Sequence, residues 1–458
     1  MKTQKRHFIM PLMALIGIFF NPLSSHAQFQ KINNLRPYDK TGINIFEDPK
    51  DTVTTFDGLK IKFGAGFTQQ FQSLKHENPD ALRNNIGAVG TPGNKLRSIT
   101  PGFMTAQANL YIDVQLADGI RLNITNYLSG RHHNEVWVKG GYIQFDKLPF
   151  QGQLWEDLMK IATIKIGHYE VDYGDAHYRR SDGGNTIFNP FMDNNIMDAF
   201  ATEIGGQVML RKNGLFGMIG LTNGMIKGNI DSLTAAANPD GDYTKSPSIL
   251  LKGGFDRQLT SDIRLRVSAS YYGNQGGGAN TLFGGDRTGS NYQYVMEPNT
   301  ISESTAMAFS GRFNPGFSKK INTFMLNGFL KVKGVELFGT YEQASGRTAR
   351  ETDTRDAKQF AIDGVYRFGF NENLFIGAKY NTVSARLANN QTGTGAGPIV
   401  YTDNVKIDRI AAAAGWFLTK NVMLKGEYVV QKYKDFPTAD LRAGGKFNGY
   451  VLEAVVGF

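Results

Sequence analysis

The sequence of 458 residues predicts an all-β fold, a transmembrane antiparallel β-barrel of about 16 strands with short periplasmic turns and long extracellular loops. Apolar residues alternate with polar ones over runs of ten or more residues, whereas soluble strands average about 5 or 6 residues and tilted transmembrane strands need about 9 to 11. Tight turns alternate with long polar, Gly-rich loops. The last run is apolar at every second residue and ends in the aromatic Phe458.

The composition excludes several other classes. With 50 basic and 41 acidic residues the formal charge is +9, and the chain has 53 glycines and no cysteine. The lack of cysteine excludes disulfides, thiolate catalysis and cysteine-based zinc sites. The charges form no basic blocks, so nucleic acid is not expected as a partner.

Residues 1–27 are predicted to be an export signal. Three basic residues precede the apolar run from Met10 to Phe20, and Ser25 and Ala27 place small residues where signal peptidase requires them, with cleavage after Ala27. Loss of the three basic residues leaves a mature charge of 9 − 3 = +6. The apolar run has about 11 residues and no later run reaches the roughly 18 of a spanning helix. Together with the barrel pattern, this predicts the bacterial outer membrane.

Residues 28–56 are predicted to form an extended periplasmic or lumen segment before the barrel, which takes up residues 57–458. Polar residues and prolines break any period there, so the segment has no core of its own. The residues concerned are Asn33, Asn34, Pro37, Asp48 and Pro49.

The strands are predicted from alternation with period two. In the first, Leu59, Ile61 and Phe63 share one face, and Lys60 and Lys62 share the other. Seventeen such runs occur: 57–72, 103–117, 119–129, 135–148, 162–171, 199–211, 214–223, 247–259, 262–274, 302–313, 321–332, 335–346, 357–370, 374–387, 404–417, 422–433 and 447–458.

A barrel with both termini in the periplasm needs an even number of strands, so one run must be excluded. We exclude 302–313, because keeping it would place the Lys333-Gly334 turn and the two hairpins that follow outside the cell. Sixteen strands leave an aqueous lumen.

The connections differ in length on the two sides. Asp118-Gly119 and Asn213-Gly214 are favourable hairpin turns. Residues 153–161 carry apolar side chains at helical spacing and predict a short amphipathic helix in place of one periplasmic turn, interpreted as a structural cap. The long loops are predicted at 73–102, 172–198, 224–246, 275–320, 344–356, 388–403 and 434–446.

The loop 172–198 is the predicted constriction of the pore. It carries charges of both signs, which would produce a transverse field that orders polar solutes. The candidate constriction residues are Asp172, Asp175, His177, Arg179, Arg180 and Asp182.

Charged residues on the predicted lumen face number nine basic and six acidic, which indicates a weak preference for anions. Any wet lumen is also lined by charge simply because lipid-facing charge is costly. The basic residues are Lys60, Lys62, Arg121, Arg211, Arg264, Arg266, Arg367, Lys379 and Lys425, and the acidic ones are Asp113, Glu203, Glu336, Asp363, Glu427 and Glu453.

Metal binding and catalysis are not expected. His132 and His133 with Glu135, or His177 with its neighbouring aspartates, are residue types that bind divalent cations, but neither group has a recognised ligand spacing. No Ser-His pair stands out as a nucleophilic system. The sequence therefore predicts no metal, no cofactor and no enzymatic activity.

Several motifs carry a family resemblance. The string YGDAHYRRSDGG at 173–184, followed by NPF and MDAFATEIGG, resembles outer-membrane porins of the Bacteroidota, which are distantly similar to the phosphate-selective porin O/P family. The hairpins FAIDGVYRFGFNENLFIGAKY and RIAAAAGWFLTKNVMLKGEYV are similar to the C-terminal strand pairs of that wider family, and the final aromatic resembles the assembly signal of outer-membrane barrels. The arginine ladder and lysine cluster of phosphate-specific members are not evident.

The resemblance implies a diffusion channel, monomeric or trimeric, whose third loop enters the lumen. We therefore expect an outer-membrane porin for small hydrophilic or anionic solutes. Its partners would be outer-membrane lipid and lipopolysaccharide, and its assembly would be a homotrimer or a monomer. The alternative left open is a structural or accessory barrel of an envelope complex, with a closed lumen.

Overall fold

The computed structural model describes residues 32–51, 56–82, 94–104, 106–128, 136–150, 152–182, 184–226, 230, 232–234, 238–276, 279–285, 290–299, 310–389 and 399–458. The predicted signal 1–27, the pair His132-His133 and most of the run 302–313 lie outside these residues.

Strands dominate the described residues. They are β1 (Lys60–Glu77), β2 (Gly102–Phe103), β3 (Gln107–Ala117), β4 (Ile120–Leu128), β5 (Val136–Phe145), β6 (Ala162–Glu170), β7 (Thr202–Lys212), β8 (Leu215–Thr222), β9 (Ser248–Gln258), β10 (Ile263–Asn274), β11 (Lys320–Val332), β12 (Val335–Arg347), β13 (Arg355–Phe368), β14 (Leu374–Ala385), β15 (Val405–Phe417), β16 (Val422–Lys434) and β17 (Lys446–Gly457). One α-helix, α1, spans Gln153–Met159.

The strands close into one antiparallel barrel. Each long strand pairs with its sequence neighbours, and β17 closes the ring on β1 from Gly66 opposite Gly457 to Glu77 opposite Lys446. The two-residue β2 adds to β1 beside β3, so sixteen long strands form the wall. The predicted fold class and strand number are confirmed.

The excluded run 302–313 contributes no strand in its described part, which begins at Ser310. Its exclusion agrees with the pairing, since β10 pairs directly with β11 and leaves no place for a strand between them. The first strand is longer than the predicted 57–72, because its pairing with β17 continues to Glu77. The predicted helix 153–161 is confirmed as α1 but ends two residues earlier.

Alternation fixes which side chains face the lumen. In β13, Phe360, Ile362 and Tyr366 are 42 to 49% exposed on the outer face, whereas Gln359 and Asp363 are buried on the inner face. The same alternation in the other strands gives the barrel an apolar outer face, which only lipid can cover without a cost in free energy. The chain is therefore a barrel of the bacterial outer membrane.

The two ends of the barrel differ as predicted. Turns of a few residues join β3 to β4, β7 to β8, β11 to β12 and β15 to β16 at one end, and long loops join the strands at the other. In bacterial outer-membrane barrels the short turns face the periplasm. In the described part of the chain no helix is long and apolar enough to cross a membrane.

Candidate functional site

The connection between β6 and β7, residues 171–201, folds into the lumen and is almost entirely buried. We name it the inserted loop. Its backbone meets side chains from opposite walls of the barrel: Thr68 of β1 donates to the Gly184 carbonyl at 2.8 Å, and Asn381 of β14 accepts from the Ile196 N–H at 2.6 Å. Further round the wall, Glu427 accepts from the Met192 N–H at 2.9 Å. Polar side chains of the wall therefore satisfy the buried backbone groups of the loop.

Glycine allows the closest approach between the loop and the wall. A Cβ atom on Gly184 would lie 2.3 Å from the Cα atom of Ala108 in β3, a distance at which no side chain fits. Gly174 has a φ of +72°, and a Cβ atom there would lie 2.2 Å from the Sδ atom of Met325 in β11. Gly174 and Gly184 thus let the loop contact two distant parts of the wall.

Asp172 and Asp175 attach the start of the inserted loop to the wall. The Lys252 ammonium of β9 lies 2.6 Å from Asp172 and 2.9 Å from Asp175. Arg266 of β10 binds both oxygens of Asp175, each at 2.8 Å. All of these groups are nearly inaccessible to water, and buried charges of this kind are tolerated only when they are paired and hydrogen-bonded.

The other four candidate constriction residues are also paired. His177 lies 3.1 Å from Asp172 and 3.5 Å from Glu170. Arg179 turns away from the open side of the lumen and pairs with Asp363 of β13 at 2.9 Å.

Arg180 and Asp182 lie further along the loop. The Arg180 guanidinium pairs with Asp198 at 2.7 Å and stacks 4.1 Å above the Phe200 ring. Asp182 pairs with Lys139 of β5 at 2.5 Å. The structure thus brings Asp172, His177, Arg180 and Asp182 to one cavity, and places Asp175 and Arg179 against the wall behind it.

Most of the predicted lumen lysines and arginines face inward but are neutralised by carboxylates. Arg266 belongs to the Asp175 cluster, and Lys62 and Lys379 lie 5.5 and 5.8 Å from the ring centres of Tyr38 and Phe191. The remaining ion pairs are Lys60 with Asp57 at 2.5 Å, Arg121 with Asp146 at 3.3 Å, Arg264 with Asp256 at 2.8 Å, Arg367 with Glu336 at 2.9 Å and Lys425 with Glu453 at 3.0 Å.

The described residues before the barrel, 32–51, lie across its periplasmic mouth; we name them the N-terminal segment. The Asn44 amide donates to Glu336 of β12 at 2.6 Å, and the Glu47 carboxylate binds Arg266 at 2.6 and 2.8 Å. Phe46 is 2% exposed and packs against Phe329, with ring centres 5.5 Å apart. The segment is thus bonded to the inner wall and narrows the lumen from the periplasmic side.

The connection between β10 and β11 supports the inserted loop from the extracellular side. Among its described residues, Tyr292 donates to Glu427 at 2.5 Å and Phe313 donates its N–H to the Ile196 carbonyl at 2.7 Å. Arg312 pairs with Asp193 at 3.0 Å. These contacts hold residues 192–198 against the β13–β16 side of the barrel.

A cavity of about 250 Å³ remains along the opposite side of the lumen. Its walls are the inner faces of β3 to β7, the N-terminal segment and the near side of the inserted loop. Between the loop and the β11–β14 wall a cavity of only about 30 Å³ is left. The larger of these two cavities therefore lies on the β3–β7 side, and a third of about 330 Å³ lies between the N-terminal segment and the β7–β10 wall.

Sequence reasoning missed Lys139, Lys252 and the contacts that Arg36, Phe46 and Glu47 make inside the predicted periplasmic or lumen segment. The two lysines could have been found, because each alternates with outward apolar neighbours in its strand. The contacts of the N-terminal segment have no sequence signal, since no period marks a chain that binds through single side chains. Among the described residues no group of three or more His, Asp or Glu side chains is arranged to hold a metal ion.

The charge of the inserted loop depends on burial and on its partners. Burial alone would raise the pKa of Asp172, but the Lys252 charge and the His177 hydrogen bond hold it well below its usual value of 3.8. Burial alone would lower the pKa of His177, but hydrogen bonds to Asp172 and Glu170 raise it above its usual 6.5. At neutral pH the loop start is a network of alternating charges.

This network predicts a pH dependence at the alkaline side. Stabilisation by Asp172 is complete above pH 3.8 and is lost only as pH falls through the lowered pKa. Stabilisation by His177 is complete below pH 6.5 and is lost as pH rises through the raised pKa. We expect channel current noise to be constant from about pH 4.5 to 6.5 and to increase above that range.

The His177→Gln variant tests the assignment of this step. It should remove the alkaline transition, because the titrating imidazole is gone. A noise increase confined to acid pH in the wild type would contradict the network.

Comparisons with known proteins give similarity at the level of structure alone. No family model matches the chain, and no curated protein matches it. The anion-selective porin from Comamonas acidovorans aligns at 10% identity and a TM-score of 0.49 over 88% of this chain and 100% of that one. The outer membrane channel DcaP of Acinetobacter baumannii aligns at 11% identity and 0.46 over 89% and 99%. OmpT of Vibrio cholerae aligns at 9% identity and 0.46 over 89% and 100%.

These identities and TM-scores are too low to transfer a function to this chain. What its own residues establish is a closed outer-membrane barrel of sixteen strands, whose lumen holds a loop, an N-terminal segment and a polar cavity on the β3–β7 side.

Proposed function

We propose that the protein is an outer-membrane porin for passive diffusion of small hydrophilic solutes. The observation that carries this proposal is the polar cavity on the β3–β7 side of the lumen. The barrel that encloses this cavity has an apolar outer face. Solutes pass between the wall and the inserted loop, and the constriction is formed by residues 172–182. Asp172, His177, Arg180 and Asp182 line this passage, while Asp175 and Arg179 hold the loop in position.

A weak anion preference is part of the proposal. It rests on the charges that stay unpaired in the cavity and not on the total number of lumen charges. Ion pairs cancel most charges around the cavity. Among the described residues, Arg36, Lys165 and Arg211 line the cavity without a carboxylate within ion-pair distance, and Asp48 and Asp113 line it without a lysine or arginine side-chain nitrogen within that distance. The remainder of three cations against two anions favours anions slightly.

The membrane contacts and the oligomeric state are further predictions of this proposal. The apolar outer face would contact outer-membrane lipid, and lipopolysaccharide would meet the extracellular loops. A homotrimer is the proposed assembly, in line with the family resemblance to Bacteroidota porins. No cofactor, metal or catalytic activity is proposed.

The alternative function is an accessory barrel of an envelope complex. One observation favours it: the N-terminal segment, the inserted loop and the connection between β10 and β11 occupy much of the lumen. Both functions share the fold, so ion flux distinguishes them.

Single-channel recording of the purified protein in a planar bilayer tests the proposal. We expect discrete open steps in the current. In a salt gradient we expect a small reversal potential whose sign shows that anions cross more readily than cations. Heat-modifiable migration on a gel serves as the control for correct folding. A folded barrel without ion flux would overturn the porin assignment and support the accessory role.

A further inference from the structure

The cavity has a basic side formed by neighbouring strands. The Lys165 ammonium of β6 lies 4.5 Å from the Tyr142 ring centre and has no carboxylate partner among the described residues. Arg211 of β7 donates from Nη1 to the Asp48 backbone carbonyl at 2.8 Å and forms no ion pair there either. Lys165 is directly opposite Gln207 in the register of β6 and β7, and Arg211 lies four residues further along β7, so the two cations face the lumen at different heights. Their positive charge is held by aromatic and carbonyl groups and is not cancelled.

The same cavity has an acidic side. Asp113 of β3 accepts hydrogen bonds from the Tyr38 hydroxyl at 3.0 Å and from the Asn123 amide at 2.7 Å. Asp48 of the N-terminal segment accepts from the Arg36 backbone N–H at 3.1 Å. Neither carboxylate forms an ion pair in the described part of the chain: the Arg36 guanidinium is turned to the Phe188 ring at 3.8 Å, and Lys62, directly opposite Asp113 in β1, lies over the Tyr38 ring at 5.5 Å.

Three buried polar atoms at this cavity have no hydrogen-bond partner among the described residues. They are the Tyr169 hydroxyl of β6 and, on the inner face of β7, Gln207 Oε1 and Arg211 Nε. Tyr169 is 3% exposed and Gln207 is 6% exposed. An unmet buried polar group costs about 1 to 3 kcal/mol, so three of them at one cavity indicate a site that another molecule completes.

The ligand must match both signs of charge. A simple anion would meet the Asp48 and Asp113 carboxylates, and a simple cation would meet Lys165 and Arg211. A molecule with a carboxylate at one end and an ammonium at the other satisfies both sides, and its dipole aligns with the field between them. The cavity volume of about 250 Å³ accommodates a molecule of amino-acid size.

We infer that this cavity is a binding subsite for small zwitterions of the α-amino-acid class. The solute carboxylate lies at Lys165, its ammonium lies toward Asp113, and the unpaired groups of Tyr169 and Gln207 complete its hydrogen bonds. This inference rests on the proposed porin function and names its preferred solute.

Liposome swelling with four solutes of equal size tests the inference. Alanine is the zwitterion, lactamide is neutral, lactate is an anion and alaninamide is a cation at about pH 6. In wild-type proteoliposomes we expect alanine to enter up to about tenfold faster than lactamide, because attraction at both ends raises its local concentration. Lactate and alaninamide should lie between them.

One variant on the basic side of the cavity and one on the acidic side test the two charges independently. Lys165→Gln should lower the ratio of alanine to lactamide toward one and favour alaninamide over lactate. Asp113→Asn should lower the same ratio and favour lactate over alaninamide. Lys212→Gln is the matched control, because it removes the same charge one residue after Arg211 but from an exposed side chain outside this cavity. Its ratio should equal that of the wild type.

The outcomes are distinct. Equal entry of alanine and lactamide, or fastest entry of lactate, would overturn the zwitterion site while leaving a porin. A wild-type preference for alanine that neither variant changes would overturn the assignment to this cavity. No swelling with any solute would instead refute the porin function itself.

Discussion

Removal of the N-terminal segment should increase single-channel conductance about twofold or more, because the segment covers the periplasmic mouth that ions must cross. The change is deletion of residues 32–51 with the export signal retained. The measurement is conductance in a planar bilayer beside the full-length protein.

The barrel should fold without the segment. No strand pairs with it, and its main charged partners keep others: Arg266 still pairs with Asp175 at 2.8 Å, Glu336 with Arg367 at 2.9 Å and Asp146 with Arg121 at 3.3 Å. Water that enters the mouth solvates the groups left over. The larger conductance would then report a wider pore and not an unfolded one.

Phe46→Ala is the graded variant for this experiment. It removes the apolar contact with Phe329 and Phe338 but keeps the ion pair of Glu47 with Arg266. Replacement of a buried phenylalanine by alanine lowers the free energy of unfolding by about 3 to 5 kcal/mol. The segment should therefore detach intermittently and give flickering currents. Identical conductance in the truncated and full-length proteins would place the segment outside the ion path.

The barrel could be predicted from the sequence because its wall is a local pattern. Each strand shows its lumen and lipid faces by alternation, and the parity rule identified 302–313 as the run to exclude. Turn residues such as Asn213-Gly214 then fixed the two ends of the barrel. No contact between distant residues was needed for any of these steps.

The interior could not be predicted in the same way. The position of Lys425 on the lumen face follows from alternation, but its pairing with Glu453 depends on the register of β16 against β17. The contact of Asn44 with Glu336 joins positions separated by 292 residues. A count of inward charges therefore overstated the basic character of the pore, since selectivity depends on the few charges that three-dimensional pairing leaves over.

Replacement of residues 176–186 by a short Gly-Ser linker should enlarge conductance about twofold or more and weaken ion selectivity, because this part of the inserted loop forms one side of the cavity. His177, Arg180 and Asp182 are removed together, and with them the narrowest charged part of the proposed passage. The measurement is again single-channel conductance, with reversal potential as the second readout.

The rest of the loop should stay in position in this variant. Asp172 and Asp175 precede the replaced residues and keep Lys252, and Met192 and Ile196 follow them and keep Glu427 and Asn381. Of the groups that lose a partner, Lys139 keeps Glu170 at 3.6 Å and Asp198 keeps Arg312 at 3.4 Å, whereas the Asp363 carboxylate of β13 loses Arg179. Uncompensated buried charge is therefore limited, and the barrel should assemble.

A Gly-Ser replacement of residues 352–354 is the matched control, because these exposed residues join β12 to β13 at the same end of the barrel but do not line the cavity. Its conductance should equal that of the wild type. If the replacement of 176–186 gives the same conductance as this control, the inserted loop does not limit ion flow. Residues 172–182 would then hold the lumen structure together without forming the constriction.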